Sequence, residues 1–451
     1  MLDSTSKRRL KLLEILNEHK EWMTIRELSY KIGCSERIIS IDIQYCNSVL
    51  KISKIRTSQN GARYSAPQCL GMKGIYQLMM GESNSFKLLE RIFFDENLLI
   101  SDLESELYIS VSAVYRLVKS INSFLFPYGI KLLMNPLRVT GEEWKIRYFY
   151  ALYFTERYDA LGWPFEDDSR NVDKLVEKQL KESETPFNAA RYYTCRLWTA
   201  IALHRERKGH YMRGTVLDAF WGPNYIDSPD SLHALLKENP QMRRLADKIN
   251  EILQEISDSF SIELAEREKC LIELLNTVNH IKEVYPAPDY ILYDNKKFFM
   301  DIIRPLNLKH YDMLYHAARQ IVITAELPEE EGLISQIIYA LLMNWKGIIS
   351  GLYSKKPKVE ILVTSTHGFQ NDKIIADILD TYFTNKINVS IYDQPAIRAE
   401  ELRKKKFDIL LTDFPCEICS DRICICINNI PSKTDLIMIK EAIDEIFAQK
   451  E

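Results

Sequence analysis

The chain has 451 residues, 46% of them apolar and 27% charged, with a formal net charge of −4; that is too long for one core and too ordinary in composition for a disordered or fibrous protein. Lys7, Arg8, Arg9, Lys11 and Glu14 interrupt the first twenty residues, so no signal peptide is expected there, and no run reaches the ~20 apolar residues of a membrane span. Nine cysteines with no disulfide framework suit a reducing compartment, so the expected location is the cytoplasm, away from membranes.

The charge is unevenly placed. Residues 1–65 carry twelve Lys/Arg against seven Asp/Glu, a net of +5, which leaves −9 for the rest. A basic end on an acidic body suits a module that faces a polyanion.

In chain order, Ser6–Lys20 reads as an amphipathic helix, with Leu10, Leu13, Ile15 and Leu16 on one face. Thr24-Ile-Arg-Glu27 is a capping box that starts a second helix, and Gly33 ends it. Ser35 caps a third helix running through Asn47. Helix, glycine turn and helix at this spacing make a helix-turn-helix. Lys51–Arg56 and Arg63–Ser65, joined through Asn60-Gly61, predict a hairpin beside it with a type I′ turn, as in a winged helix.

The same pattern recurs 75 residues later. Ser110–Asn122 matches Ser35–Asn47 in register: both open on Ser and close on Asn. The apolar positions Ile39, Ile43 and Cys46 fall on Val114, Val118 and Ile121. Phe86–Phe94 and a helix capped by Ser101-Asp-Leu-Glu104 precede it, and Ile130–Met134 with Leu137–Thr140 supply a second wing around an Asn-Pro turn. One capped amphipathic helix says little about function; two in-register copies, each with support helix and wing, point to DNA binding. If the apolar positions face the core, Glu36, Arg37, Ser40, Ile41 and Gln44 face outward in the first unit. Ser112, Ala113, Tyr115, Arg116 and Lys119 do so in the second. The expected DNA contacts are therefore Arg37, Ser40, Gln44, Ser112, Tyr115, Arg116 and Lys119, through base edges or phosphate. Neither face is strongly basic, so a second protomer is expected to supply affinity.

Glu142 to about Lys355 is helical in period, in two blocks able to form bundles. Neither block holds a phosphate loop, a nucleophile elbow or a zinc-protease motif. No catalytic site, metal site or cofactor is expected. His204 and His210 lie in Leu-His-Arg-Glu-Arg-Lys-Gly-His, a cationic setting able to stabilise a phosphoryl group. His280 and His316 are the matching candidates in the second block, although any one histidine in such a bundle is more often simply solvated or packed.

From 357 onward the rhythm becomes α/β. Val359–Thr364, Val389–Tyr392, Phe407–Leu411 and Ile423–Ile427 read as strands of a largely parallel sheet. Helices are predicted at Asp372–Phe383, Ile397–Lys406 and Thr434–Ala448. The loop from Ser365 opens a helix, a place that favours anions. Cys416, Cys419, Cys424 and Cys426 form a cluster whose spacing lacks the two separated knuckles of a zinc site. Buried thiols on the sheet are the expectation, with a redox or metal sensor as the rival reading.

This layout resembles the Mga/AtxA class of virulence regulators of Gram-positive bacteria over essentially the whole chain. The resemblance rests on domain order, on the two helix-turn-helix motifs, and on Tyr76-Gln-Leu-Met-Met and Phe86-Lys-Leu-Leu-Glu between them. It implies winged helices at 1–66 and 67–142, phosphotransferase-system regulation domains at 143–242 and 243–355, and a IIB-like α/β domain at 356–451. It further implies a homodimer on promoter DNA, modulated by histidine phosphorylation from phosphocarrier proteins of that system. Ser365 stands where a working IIB domain carries its cysteine, which argues against the alternative of a phosphoryl-carrier enzyme. The place of the usual first histidine in the central blocks falls near Trp198.

Overall fold

A computed structural model describes residues 1–19, 21–67, 70–107, 109–158, 162–166, 169–182, 189–212, 225–354, 358–394, 399–415 and 422–450. The chain divides into two compact units: Met1–Asp227 with Asn279–Asn295, and Ser228–Val278 with Lys296–Glu451.

The first unit begins with helices α1 (Ser4–Glu18), α2 (Ile25–Ile32) and α3 (Glu36–Val49) and the hairpin β1 (Lys54–Ser58) and β2 (Gly61–Ser65). The capping box forms: the Thr24 hydroxyl accepts from the Glu27 amide at 3.2 Å, and the Glu27 carboxylate accepts from the Thr24 amide at 2.8 Å. Gly33 closes α2 at φ +79°, and Ser35 caps α3 by accepting from Ile38 N. Leu10, Leu13, Leu16, Leu28, Ile39, Ile43 and Cys46 form the core, joined by Leu12 from outside the anticipated stripe, while Ile15 is half-buried.

The wing differs by one residue from the predicted turn. Ser58 pairs with Gly61, so the loop is Gln59-Asn60 and the glycine opens the second strand. The physical reason is a third backbone segment. Met23 and Ala62 exchange both amide bonds, at 2.9 and 2.7 Å. Gly61 sits at φ +110°, where a Cβ would lie 1.9 Å from the Met23 carbonyl oxygen. Only glycine fits that approach.

A helix α4 (Met72–Glu82) leads into the second module: α5 (Asn84–Phe94), α6 (Ile100–Leu107), α7 (Val111–Leu125), a single 3₁₀ turn (Phe126–Tyr128), β3 (Lys131–Met134) and β4 (Leu137–Thr140). The expected cap at Ser101 is displaced. The Asp102 carboxylate accepts from Leu99 N at 2.9 Å, so α6 begins before Ser101 and the serine lies inside it. Ser110 caps α7 as anticipated. Leu98 bridges Leu137, repeating the Met23–Ala62 bridge of the first module.

Helices α8 (Glu143–Arg157), α9 (Ser169–Glu182) and α10 (Ala189–Arg207) follow in the same unit. Helix α8 is buried nearly all round. Phe93 and Phe94 of α5 pack edge-on or tilted against Phe154 and Phe165. Residues Ile291–Tyr293 return to α8, where their three amides donate to the Glu156 carboxylate at 2.5, 2.8 and 2.9 Å.

The second unit holds helices Pro229–Glu238, Pro240–Phe260, most of Arg267–Val284, Asn295–Ile303, Leu308–Thr324, Glu331–Asn344 and Ile348–Ser354. A four-stranded sheet follows, ordered β6-β5-β7-β8 from β5 (Val359–Thr364), β6 (Ile387–Ile391), β7 (Ile409–Thr412) and β8 (Ile423–Cys426). All three pairings are parallel. Helices Phe369–Tyr382 and Lys433–Lys450 cover one face through Ile375, Leu379, Ile439 and Ile443, and Ala399–Lys404 covers the other through Leu402. The described residues include no helix long and apolar enough to cross a membrane.

Candidate nucleic-acid interface

The two recognition helices present the faces expected of them. In α3, Ile39, Ile43 and Cys46 point into the core and Glu36, Arg37, Ser40, Ile41 and Gln44 are exposed. In α7, Val114, Val118 and Ile121 are buried while Ser112, Tyr115, Arg116 and Lys119 are exposed and Ala113 is half-covered. All seven candidate DNA contacts therefore lie on outward helix surfaces, Tyr115 among them at 52% exposed, and the apolar Ile41 accompanies them at 50%.

What sequence reading missed is how each wing is held. Asn47 donates from Nδ2 to the Ile55 carbonyl at 2.9 Å and accepts from Ile55 N at 2.8 Å. Asn122 does the same with Leu132, at 3.0 and 2.7 Å. The asparagine that closes both repeats is thus a clamp between recognition helix and wing, satisfying one strand residue on both its backbone groups. Its place in both repeats was visible; its partner was not.

The basic excess of the N-terminus is only partly available to a ligand. Asp42 of α3 is fully buried, and it takes Arg8 through two bonds of 2.6 and 3.2 Å and Arg9 through one of 2.9 Å. Arg9 also lies 3.5 Å over the Tyr45 ring. The wings supply cations that the helix pattern did not indicate: Lys54 and Arg56 are exposed on β1, as are Lys131 on β3 and Arg138 on β4. Arg56 stands directly opposite Arg63 across the first hairpin, and Arg63 lies 5.3 Å over the Trp22 ring. Strand alternation around Ile55 was the signal that would have found Lys54 and Arg56.

The histidine candidates occupy four different settings. His204 stacks on Phe93 with ring centroids 4.7 Å apart, and its Nε2 is 3.0 Å from the Phe93 carbonyl. Burial, reinforced by Lys208, Arg205 and Arg207, holds its pKa below the ordinary value. His210 is part-exposed, with Nε2 2.8 Å from Glu96. It borders a buried ionic network in which Arg147 and Arg205, each 2% exposed, share Glu143 at 2.9 and 2.7 Å. His280 lies 3.5 Å from the Tyr148 hydroxyl, and His316 is exposed on helix Leu308–Thr324.

In the C-terminal sheet, the loop after β5 does not suit an anion. Asp413 at the end of β7 accepts from the Thr366 amide and hydroxyl at 2.9 and 2.6 Å and pairs with His367 at 2.6 Å. Burial pushes its carboxyl upward, but these bonds win and hold it below the usual range, so a fixed negative charge faces the loop. Ser365 is buried and accepts from His367 N and Asn371 Nδ2, both at 3.3 Å. The thiols split: Cys424 is half-buried and packs against the Leu402 side of the sheet, whereas Cys426 is exposed rather than buried. Cys416 and Cys419 lie outside the described residues.

Two winged helix-turn-helix modules in series, each with a polar outward recognition face, define the class of transcription regulators that carry such domains. Residues 4–61 match the M protein trans-acting positive regulator (MGA) HTH domain, and residues 70–154 match the Mga helix-turn-helix domain. A Streptococcus pneumoniae serotype 4 protein described as a trans-acting regulator is 25% identical, over 95% of this chain and 96% of its own length. The capsule synthesis positive regulator AcpB of Bacillus anthracis is 23% identical, over 89% of this chain and 79% of its own. The anthrax toxin expression trans-acting positive regulator of Bacillus anthracis is 22% identical, over 66% and 59%. The N-terminal third of the chain thus matches the helix-turn-helix domains of Mga regulators, and along its length the chain is similar to trans-acting regulators of the Mga/AtxA-like kind.

Proposed function

We propose that this protein is a cytoplasmic transcription activator, not an enzyme, that binds double-stranded promoter DNA as a homodimer. In this reading 143–242 and 243–355 are regulation domains whose histidines take phosphoryl groups from phosphotransferase-system carrier proteins, and 356–451 is a IIB-like contact domain. No cofactor takes part. The observation that carries the reading is the doubled recognition helix, with Arg37, Ser40 and Gln44 on one outward face and Ser112, Tyr115, Arg116 and Lys119 on the other. Activation is favoured by the relatives, two of which are named positive regulators. Against a carrier enzyme stand Ser365 at the cysteine position and the carboxylate of Asp413 beside it.

The test is a mobility-shift titration of full-length protein on promoter DNA across a range of salt. Arg116→Ala with Lys119→Ala removes two cations and is expected to weaken binding and reduce the salt slope by about 1–2 units. Arg37→Ala alone is expected to cost less, because Ser40 and Ile41 beside it bring no charge. A double variant that binds with unchanged affinity and slope refutes the assignment of the interface.

A further inference from the structure

Beside the second wing, the first unit holds a cleft of about 380 Å³. Five aromatic side chains line it: Phe126, Tyr128, Trp144, Tyr148 and Tyr285, with Lys145 as the one ionised group among the described residues of the wall. Its volume and its mostly apolar lining with one polar handle match small-molecule sites in general. Phe126 and Tyr128 come from the turn that ends recognition helix α7, while Trp144, Lys145 and Tyr148 come from the first two turns of α8.

The walls are fixed in different ways from floor to rim. At the floor, Tyr128 and Tyr148 are buried. The Tyr128 hydroxyl donates to the Tyr290 carbonyl at 3.1 Å, and its ring meets Phe149 edge-on at 5.2 Å. At the rim, Phe126 is 80% exposed and Tyr285 is partly exposed. Glu142, itself exposed, holds two wall groups at once: it accepts from Trp144 Nε1 at 2.8 Å and from Lys145 Nζ at 3.2 Å.

We propose that this cleft binds a small planar aromatic monocarboxylate. The rings select a planar aromatic body through stacked and edge-on packing. Aromatic walls alone would also attract a quaternary ammonium; the Lys145 ammonium on the wall, with its partner Glu142 outside the lining, tips the preference toward an anion. Among the described residues no carboxylate lines the cleft to reverse that preference. A single ammonium suits a monoanion, and the ligand carboxylate takes Lys145 from Glu142, whose solvated pair is cheap to exchange.

The experiment uses the full-length protein and 2-naphthoate as probe, read by equilibrium dialysis at neutral pH. One saturable site is expected, with a dissociation constant on the order of 0.1–1 mM for a ligand of that size. Lys145→Met is expected to weaken 2-naphthoate by about tenfold, to leave 2-naphthalenemethanol unchanged, and to strengthen phenyltrimethylammonium. Trp144→Ala is expected to weaken all three. Phe126→Ser alters a rim residue outside the core and is expected to weaken 2-naphthoate without lowering the unfolding midpoint, which keeps the test independent of folding. Three results overturn the proposal: no saturation up to about 5 mM, affinity indifferent to Lys145→Met and Phe126→Ser, or a wild-type protein that prefers the cation.

Discussion

Asn47 and Asn122 each make two bonds to a strand residue whose side chain is buried, so replacing either by alanine strands an amide and a carbonyl together. The expected cost is about 1–3 kcal/mol of module stability in urea unfolding, with faster amide exchange at Ile55 or Leu132. Two glycines separate backbone strain from steric exclusion. Gly33 has φ +79° with nothing within 4 Å of where a Cβ would stand, so Gly33→Ala is expected to cost only the left-handed penalty, about 1–2 kcal/mol. Gly61→Ala meets the Met23 backbone as well, and the first module is expected not to fold at ~37 °C. A circular-dichroism melt in which the two variants behave alike would count against the close approach at Gly61. His204 carries a pH signature. Its pKa is lowered by burial, so the unfolded chain takes a proton more readily, and stability present above the ordinary imidazole value of 6.5 is lost as pH falls below it. His204→Phe keeps an aromatic ring against Phe93 and is expected to flatten that acid-side loss in unfolding midpoints measured from about pH 7.5 to 5.5, a range centred on ~6.5.

At the scale of elements, the wings connect two charges that the free protein has reason to keep apart. Arg56 and Arg63 face each other across β1 and β2, an arrangement that costs stability unless an anion lies between or beside them. Arg56→Ala is therefore expected to raise the unfolding midpoint slightly while lowering DNA affinity and reducing the salt slope by about 1. A variant that loses stability and keeps its DNA affinity would place the wing outside the interface. These wing cations show where sequence reading stopped. Recognition helices were legible because their caps and apolar period are local, and the sheet of the C-terminal domain was legible because its strands are short apolar runs. The clamp from Asn47 to Ile55, the capture of Arg8 and Arg9 by Asp42, and the return of Ile291–Tyr293 to Glu156 were not. Each joins residues whose pairing depends on tertiary placement, and no periodicity encodes it. The displaced turn at Gly61 belongs with them, because its register answers to Met23 rather than to the Asn-Gly dipeptide.

On the scale of the whole chain, regulation has to act through groups whose charge can change without dismantling a core. His204 is poorly placed for that: a phosphoryl group would open the stack on Phe93 and break the bond to its carbonyl. His210 sits at the edge of a network with two buried arginines, so a new dianion there would repel Glu96 and draw Arg205 and Arg147 from Glu143. His280 has the Tyr148 hydroxyl beside it, which couples it to the floor of the aromatic cleft. His316 is exposed and able to accept a charge with little local cost. These settings predict different responses to His→Asp and His→Ala in a promoter reporter. At His316 the two changes are expected to move output in opposite directions with the unfolding midpoint unchanged, the mark of a charge read by another surface. At His210, Asp is expected to shift output and also lower stability by about 1–3 kcal/mol, since it sets a carboxylate against Glu96. Ala there leaves Glu96 to Arg205 and is expected to be milder. If both substitutions at His204, His210, His280 and His316 leave output the same on preferred and poor sugars, control by histidine phosphorylation is wrong for this protein.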